Sequence, residues 1–514
     1  MQVSITGITG NMGQAVLEEV LKIDEIDKLK LLVLPEDKRI NDIVKKYKKY
    51  PEKFKKFDIV FGNLKDARTC NFLVADSDYV VNLAAVIPPH SDKFPMKAIE
   101  CNEIGVNNLV SSIERMEKQP KFIHISTVAL YGNRNSKHIW GQVGDPLLVS
   151  PFDIYSATKL RGEFRVLESG IKNWAVLRQS AMLHKNMMSD NISDGLMFHT
   201  CFNAPLEWVT AHDSGVLIAN ILKSDLKEDL KDKFWKKCFN IGGGDYNRLT
   251  GFDTLNDGFK MIGGGAKNFF KPNYNATRNF HGVWFYDGHK LNDLFSYQQQ
   301  DTAFYWAEIL KTHSYYKMGR IVPKAVIRKF VIKRLFKDDN SPAYWFKHND
   351  QARLQAYFGG KGKYLAITDD WKNFPLLVEN KDEEGKDLNY PELKNIKNAK
   401  LIDYGFDREK QIALKDLQNV AKLHGGKLIS KKFDGLYAKH EWETQDGEIF
   451  KATPFTVLIA GHWYNPIYKE YVWDFDRLSK KDKIFSQIWL DSHSEKENFT
   501  YYFDEKFNAR MKVK

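Results

Sequence analysis

The chain has 514 residues, more than one hydrophobic core normally organises, so we expect two or three domains. No stretch has the length and apolarity of a membrane-spanning helix, and the hydrophobic fraction of 43% is typical of a globular protein. The formal net charge is +11, but basic and acidic residues are intermixed along the chain. This mixing favours a solvated surface and argues against nucleic acid or a membrane as the partner.

Cysteine usage predicts a reducing compartment. The cysteines are Cys70, Cys101, Cys201 and Cys238, and no two of them form a CxxC pair. Neither a zinc site nor a disulfide framework is therefore expected. The first residues, MQVSITG, already have the pattern of a strand and leave no room for a signal peptide. We expect a cytoplasmic protein.

The amino-terminal residues MQVSITGITGNMGQAVLEEVLK have the order strand, glycine loop, helix. Gly7, Gly10 and Gly13 follow the strand at the spacing of a dinucleotide-binding loop. In such loops one glycine makes a tight turn, one lets the backbone approach a pyrophosphate, and one permits close helix–strand contact. The helix amino terminus then offers free N–H groups to phosphates.

Further apolar runs alternate with helical stretches. The strands are predicted at 29–34, 57–64, 78–85, 121–127 and 174–179. Such alternation predicts an α/β fold with a Rossmann-type, doubly wound parallel sheet. Ligands of these sheets bind at the carboxyl ends of the strands, where Ser126 and Thr127 end the fifth strand.

Residues 151–163, PFDIYSATKLRGE, predict a helix that has Tyr155 and Lys159 on one face. Ser150 is the expected N-cap, Asp153 the capping-box acid and Gly170 the C-cap. Taken alone, a tyrosine and a lysine four residues apart are typical of an exposed pair. Their meaning depends on the rest of the chain.

Several motifs occur together in a characteristic order: TGITGNMG (6–13), GNLKD (62–66), VNLAA (81–85), ISTVALYG (125–132), YSATK (155–159) and VLRQS (176–180). With these motifs the chain resembles the extended short-chain dehydrogenases/reductases, the NAD-dependent epimerase/dehydratase family, over about residues 1–300. The resemblance implies an NAD(P)-binding domain over 1–180 and a smaller substrate domain over 181–338, interleaved with the last sheet elements. Residues 339–514 then form an additional α+β module of unknown role.

The resemblance also implies the site residues. Ser126 would orient the substrate, Tyr155 would be the general acid/base, and Lys159 would hold the nicotinamide ribose and lower the pKa of the tyrosine. A free phenol titrates near ~10, and a nearby positive charge favours the phenolate. The implied cofactor contacts are Gly7, Gly10, Asn11, Met12, Gly13, Asn63, Leu64, Ala84, Ala85, Tyr155 and Lys159.

The choice between NAD and NADP stays open at this stage. An acid after the second strand would bind the ribose 2′-hydroxyl of NAD, and a base would accept the 2′-phosphate of NADP. Residues 34–39, LPEDKR, contain both types.

At two positions the sequence differs from the family's motifs, and these differences narrow the choice of reaction. Val128 and Ala129 stand where the sugar dehydratases carry an acid pair, and Gln179 to Ala181 lack the pattern of nucleotide-sugar epimerases. The prediction is therefore an oxidoreductase that acts on a secondary alcohol or ketone. A sugar epimerase on the same scaffold is the nearest alternative, and a dinucleotide-sensing binding protein is an alternative of another class.

Candidate substrate contacts are Thr127, Gln179, and His138 and Trp140 in a long loop over 133–148. His138 and Trp140 could equally hold that loop to the body of the protein. The expected partner is a small molecule, and a homodimer is left open.

Two later segments carry separate expectations. Residues 322–336, VPKAVIRKFVIKRLF, are predicted to form a basic amphipathic helix, for which packing on the domain is favoured over a membrane surface.

Residues 427–468 faintly resemble a zinc ribbon in Trp442, Gly461 and Trp463. Thr444, Glu448 and Tyr464 stand where metal ligands would be, so we expect no metal site.

Overall fold

The computed structural model describes residues 1–134, 137–187, 194–228, 230–377, 400–503 and 512–513. The predicted loop over 133–148 and the predicted module over 339–514 therefore lie partly outside the described residues. The strands are β1 (Gln2–Thr6), β2 (Lys28–Val33), β3 (Phe57–Phe61), β4 (Tyr79–Asn82), β5 (Lys121–Thr127), β6 (Trp140–Gly141), β7 (Trp174–Gln179), β8 (Ala181–Leu183), β9 (Pro205–Thr210), β10 (Lys237–Ile241), β11 (Arg248–Thr250), β12 (Trp284–Phe285), β13 (Lys427–Leu428), β14 (His440–Glu443), β15 (Ile449–Ala452), β16 (Val472–Trp473), β17 (Tyr501–Tyr502) and β18 (Lys512–Val513).

Helices separate most of these strands. The α-helices are α1 (Asn11–Val20), α2 (Ile40–Tyr47), α3 (Pro51–Phe54), α4 (Ala67–Val74), α5 (His90–Lys93), α6 (Pro95–Ala98), α7 (Gly105–Glu114), α8 (Ile154–Leu167), α9 (Ala211–Lys227), α10 (Gly251–Lys260), α11 (Ala266–Phe269), α12 (His289–Phe295), α13 (Thr302–Thr312), α14 (Lys324–Ile327), α15 (Pro342–Lys347), α16 (Gln351–Phe358), α17 (Lys361–Leu365), α18 (Leu414–Leu423), α19 (Ile467–Glu470), α20 (Phe475–Leu478) and α21 (Lys483–Trp489).

The central sheet confirms the predicted doubly wound fold. Within the described residues it has seven strands in the order β10-β7-β5-β4-β1-β2-β3, and all its pairings are parallel. The chain runs outward from β1 to β3 and then returns to place β4 on the other side of β1. This reversal opens a crevice at the carboxyl ends of β1 and β4, which is where such sheets bind ligands.

Both faces of the sheet are buried, which explains the continuous apolar runs of its strands. Val80 and Phe122 belong to one hydrophobic core, and their neighbours Val81 and Ile123 belong to the core on the opposite face. Successive side chains of a strand point to opposite faces, so a strand covered on both sides is apolar at most positions.

Helix α8 begins later than its sequence suggested. Asp153 is the N-cap, and its carboxylate accepts a hydrogen bond from the Ser156 N–H at 2.9 Å. The prediction of Ser150 as N-cap is wrong because Phe152 has φ +68°, a left-handed conformation that cannot continue a helix. The helix ends at Leu167, so Gly170 is not its C-cap either.

The part of the chain after β7 is interleaved with the sheet. Strands β8, β9 and β11 form a small separate sheet, whereas β10 pairs with β7 at the edge of the central sheet. The chain thus leaves the central sheet and returns to it before residue 242. This arrangement places the small sheet beside the carboxyl ends of the central strands.

The carboxy-terminal residues do not form a separate core. One hydrophobic cluster joins Leu130, from the turn after β5, and Leu160, from α8, to Trp345, Trp442 and Trp473. The zinc-ribbon-like residues lie in an apolar hairpin, where Trp442 packs edge-on against Trp463 at 6.2 Å between ring centres. Of the positions expected to have lost metal ligands, Glu448 pairs with Lys469 and Tyr464 stacks on Phe450.

Candidate functional site

The three glycines of the loop between β1 and α1 differ in what a side chain at each position would contact. Gly7 has φ +69°, and a side chain there would lie 2.7 Å from the backbone of Ala84. A Cβ on Gly13 would lie 2.2 Å from the Gly7 carbonyl oxygen, so Gly13 permits the close contact of helix and strand. A Cβ on Gly10 would meet only the Gly7 carbonyl oxygen, at 3.3 Å, and Gly10 lines the large cavity described next. The loop thus has a positive-φ turn at Gly7, a close helix–strand contact at Gly13 and open space beside Gly10.

One cavity of about 1180 Å³ extends along the carboxyl edge of the sheet. It contains nearly all the residues that the sequence assigned to cofactor, catalysis and substrate. Those lining it are Gly7, Gly10, Asn11, Met12, Gly13, Asn63, Leu64, Ala84, Ala85, Ser126, Thr127, Tyr155, Lys159 and Gln179. Four loops after β1, β3, β4 and β5, together with α8, therefore converge on one site.

The predicted catalytic side chains lie in the buried part of this cavity. Lys159 is 2% exposed, and its ammonium donates to the Ile125 carbonyl oxygen at 2.5 Å. The hydroxyl oxygens of Ser126 and Ser180 are buried, and neither has a hydrogen-bond partner within the described part of the structure. A buried polar group without a partner is costly, so both hydroxyls are suited to contact a bound molecule.

The electrostatics of Tyr155 differ from the expectation. Burial raises the pKa of the Tyr155 phenol to about 12, although a hydrogen bond with Thr127 acts in the opposite direction. Burial also lowers the pKa of Lys159 to about 8. In this state the phenol holds its proton, and the lowering of its pKa by Lys159 is not present. Desolvation is the largest cause of both shifts, since Lys159 is buried and Tyr155 is partly buried.

The segment after β2 contributes an acid to the cavity wall. The Asp37 carboxylate accepts hydrogen bonds from the Thr9 hydroxyl at 2.6 Å and from two Arg39 nitrogens at 2.9 and 2.7 Å. The Arg39 guanidinium is the main cause that lowers the pKa of Asp37 to about 2. An ionised carboxylate thus lies where a ribose hydroxyl of a dinucleotide would be recognised.

The prediction that His138 and Trp140 contact substrate is wrong. Neither lines the cavity. His138 Nδ1 lies 2.6 Å from a carboxylate oxygen of Asp491, and Trp140 pairs with Trp284 between β6 and β12. These contacts hold the loop to the body of the protein, which is the other role considered for them.

The wall beyond residue 178 has more apolar than polar side chains, and no motif in the sequence indicated it. Its apolar side chains come from separated segments and include Met182, Met187, Leu196, Met197, Leu206, Trp208, Leu255, Phe259, Phe280, Val283, Trp306 and Tyr357. Among the described residues of this wall there is no lysine or arginine. No local motif could have identified these residues, because they meet only through the tertiary fold.

Asp92 is a further missed residue. It lines the cavity, and burial together with the neighbouring Asp153 raises its pKa to about 7. Asp92 thus exchanges its proton near neutral pH.

The side of α8 that faces away from the cavity packs on the carboxy-terminal region. Glu163 and Arg178 form a fully buried ion pair at 2.6 Å, and His462 Nε2 lies 3.0 Å from the same carboxylate. Arg178 also donates to the Ala460 carbonyl oxygen at 2.7 Å. The helix that carries Tyr155 and Lys159 is therefore fixed in place by residues about 300 positions further along the chain.

A comparison with protein families agrees with this site. Residues 3–172 match the model of the NAD dependent epimerase/dehydratase family. This range ends just beyond α8 and includes the glycine loop, Ser126, Tyr155 and Lys159. The amino-terminal part of the chain is thus similar to the domain that this family model describes.

Individual proteins are similar to parts of the chain. A UDP-glucose 4-epimerase of Mycoplasma genitalium is 26% identical over 230 residues, which are 44% of this chain and 61% of that protein. A dTDP-glucose 4,6-dehydratase variant from Streptomyces venezuelae, crystallised with NAD, aligns with a TM-score of 0.49 and 18% identity. A UDP-glucuronic acid 4-epimerase from Bacillus cereus, solved with UDP-glucuronic acid and NAD, aligns with a TM-score of 0.47 and 19% identity. Each structural match covers 62% of this chain and 100% or 99% of the other.

Proposed function

We propose that the chain is an NAD(P)-dependent oxidoreductase that interconverts a secondary alcohol and a ketone. The observation that carries this proposal is the single cavity that joins the Gly7–Gly13 loop to Ser126, Tyr155 and Lys159. A dinucleotide bound along this cavity would supply or accept the hydride. An intact proton-transfer set distinguishes this proposal from a sensor, since a sensor has no need of a general acid/base.

The cavity fits a nicotinamide dinucleotide, and we infer NAD as the preferred one. Gly10 leaves space for the pyrophosphate beside the amino terminus of α1, whose free N–H groups favour anions. The ionised Asp37 is an acceptor for the ribose 2′-hydroxyl and would repel a 2′-phosphate. Arg39 partly offsets this repulsion, because it pairs with the same carboxylate.

The three catalytic side chains would have different roles. Tyr155, which holds its proton in this state, would donate it to the oxygen of a ketone during reduction and take it back during oxidation. Ser126 would donate a hydrogen bond to the same oxygen and fix its position, since the serine hydroxyl is buried without a partner among the described residues. Lys159 would hold the cofactor ribose from its position on α8, one turn after Tyr155.

The substrate that the cavity favours is neutral and largely apolar. The wall beyond residue 178 combines aromatic and aliphatic side chains with polar ones such as His184, His199 and Asn279, and among its described residues it has no lysine or arginine. Guanidinium and ammonium groups are the usual partners of phosphates, so a sugar linked to a nucleoside diphosphate would lack them here. An alcohol on an apolar ring system would bury its surface against this wall.

Epimerisation of a sugar is the second candidate, favoured by the UDP-glucose 4-epimerase that resembles this chain. Both candidates need Tyr155 and the dinucleotide. They differ in the fate of the hydride, which leaves with the product in an oxidoreductase and returns to the substrate in an epimerase.

Hydride transfer by the purified protein tests the proposal. We expect NADH absorbance to change with neutral cyclic ketones or alcohols, and UDP-glucose to be neither bound nor epimerised. The Tyr155→Phe variant should keep dinucleotide affinity and lose ~10²-fold or more of turnover. Epimerisation of UDP-glucose without net NADH formation would favour the second candidate instead. Full activity of the Tyr155→Phe variant would contradict both.

A cytoplasmic location is also our inference. It is supported by Cys70, Cys101, Cys201 and Cys238, none of which forms a disulfide within the described structure.

A further inference from the structure

The segment after α13 exposes an unusual amount of apolar surface. Ile321 is 82% exposed, Met318 66%, Phe330 63% and Tyr315 56%. Val322, Val326 and Val331 are exposed as well. Single exposed apolar residues need no explanation, but seven within seventeen consecutive positions form a patch, and such patches mark interaction surfaces.

The same segment is strongly basic. Between Glu308 and Asp338 the sequence has no acidic residue and has nine cations: Lys311, Lys317, Arg320, Lys324, Arg328, Lys329, Lys333, Arg334 and Lys337. Lys311 pairs with Glu308; for the eight others, no carboxylate of the described chain lies within 4 Å. We call these eight cations and the seven exposed apolar residues the 315–337 patch.

The opposite side of this segment is already packed. Ile327 and Ile332 are buried, in one cluster with Phe198 and Phe270. They are five positions apart, and the π-helical turn over Arg328–Ile332 keeps both on the inner side. Val322, Val326 and Phe330, each four positions apart, are left on the outside. The exposed apolar side chains are therefore not a stripe that the fold itself buries.

The 315–337 patch also adjoins the wall of the cavity. Tyr316 packs in a cluster with Met187 and Trp306, and both of these line the cavity. A surface bound by the patch would thus lie near the apolar end of the site.

We propose that the 315–337 patch docks the protein on the surface of an anionic phospholipid bilayer. Apolar side chains interleaved with cations that have no carboxylate within 4 Å in the described chain match the acyl boundary and the phosphate headgroups of such a bilayer. Attachment is peripheral, because no helix of the described chain has the length and apolarity to cross a membrane. The sequence favoured the opposite, since a basic amphipathic helix usually packs its apolar stripe on its own domain.

Other partners fit the patch less well. Nucleic acid would bind the cations through its phosphates, but this binding would not account for the exposed side chains of Ile321 and Phe330. A second copy of this chain would place like charges together. The bilayer uses both features of the patch.

Co-sedimentation of the full chain with vesicles tests the proposal. We expect binding to phosphatidylcholine vesicles that contain phosphatidylglycerol, little binding to phosphatidylcholine alone, and weaker binding at high salt, where charges are screened within about 3 Å at 1 M. The variant Ile321→Asp/Phe330→Asp should bind at least tenfold more weakly. The variant Lys324→Glu/Lys329→Glu should lose about 25-fold or more, at roughly 1 kcal/mol for each cation near an anionic surface.

Matched controls change the same residue types elsewhere. Ile449, 60% exposed, allows Ile449→Asp, and Lys431→Glu/Lys432→Glu repeats the charge reversal on two exposed lysines. These controls should bind vesicles like the wild type, and all variants should keep wild-type dinucleotide affinity and thermal stability. Absence of binding to anionic vesicles, or equal losses in patch and control variants, would overturn the proposal. So would a solution dimer that Ile321→Asp/Phe330→Asp dissociates, because the patch would then join two copies.

Discussion

At the scale of single residues, a substitution of Gly10 is expected to affect dinucleotide binding, and one of Gly13 is expected to affect folding. A side chain on Gly10 extends into the cavity, whereas one on Gly13 collides with the Gly7 carbonyl oxygen. Gly10→Val should therefore abolish dinucleotide binding in a folded protein. Gly13→Ala should lower the free energy of unfolding by about 1–3 kcal/mol, the usual cost of overpacking. Calorimetry with NAD and denaturant unfolding measure the two effects, and equal NAD affinity in Gly10→Val and wild type would contradict the assignment.

Lys159 is expected to be destabilising at neutral pH. Its pKa of about 8 in the folded chain lies below the ordinary value of 10.5 for a lysine, so folding disfavours the charged form. The cost is fully present below pH 8 and disappears as the pH rises to about 10.5, where the unfolded state also loses the proton. Lys159→Met should raise the free energy of unfolding by up to about 3 kcal/mol at pH 7, from a difference of roughly 2.5 pKa units.

The same substitution should abolish turnover, because the ammonium would no longer hold the cofactor ribose. Denaturant unfolding at pH 7 and at pH 10.5 checks the stability effect. A stability gain that does not shrink between these pH values would show that packing, and not the buried charge, is its cause.

Asp37 is expected to set the choice of cofactor. Asp37→Ala removes an ionised carboxylate from the cavity and releases Arg39 from its pair. We expect about tenfold weaker NAD binding and a gain in NADP affinity, measured by calorimetry. Glu36→Ala, which removes the neighbouring charge of the same cavity wall, is the matched control. An unchanged ratio of the two affinities in Asp37→Ala would disprove this role.

At the scale of elements, helix α8 depends on the ion pair behind it. Glu163 and Arg178 are both fully buried, so Glu163→Gln leaves the guanidinium without its counter-charge. Loss of one partner of a buried pair costs about 3–5 kcal/mol. The corresponding change in the exposed pair of Glu228 and Lys233, Glu228→Gln, should cost less than about 1 kcal/mol. Similar losses in both variants, measured by denaturant unfolding, would mean that burial of the pair does not matter.

The bounds of the strands and of α8 show which elements a local sequence pattern predicts correctly. Strands β5 and β7 have the predicted bounds, 121–127 and 174–179, because apolar runs between turn residues define buried strands well. The start of α8 was placed too early, since the left-handed conformation of Phe152 has no signature in the sequence. The family resemblance assigned Ser126, Tyr155 and Lys159 to one site, and all three line the same cavity, while their catalytic roles stay predictions.

At the scale of the whole molecule, the region after residue 338 is expected to be necessary for folding. Of its described residues only Tyr357 lines the cavity, so the described part of the region does not form a lid over it. It covers α8, supplies His462 to Glu163 and shares a core with Leu130 and Leu160. A chain that ends at Asp338 should therefore lose cooperative unfolding and dinucleotide binding. Circular dichroism and calorimetry of the shortened chain test this, and wild-type NAD affinity would contradict it.

The sequence by itself determined the order of strands and helices in the central sheet and the position of the glycine loop. These features depend on spacings of a few residues, which the periodicity of strands and helices converts directly into geometry. The tertiary structure alone decided that His138 and Trp140 face away from the cavity, that burial raises the pKa of Tyr155, and that residues 315–337 leave their apolar side chains in water. Each of these depends on which distant segments cover a residue, and burial of that kind is set by contacts between segments hundreds of positions apart, which no local pattern encodes.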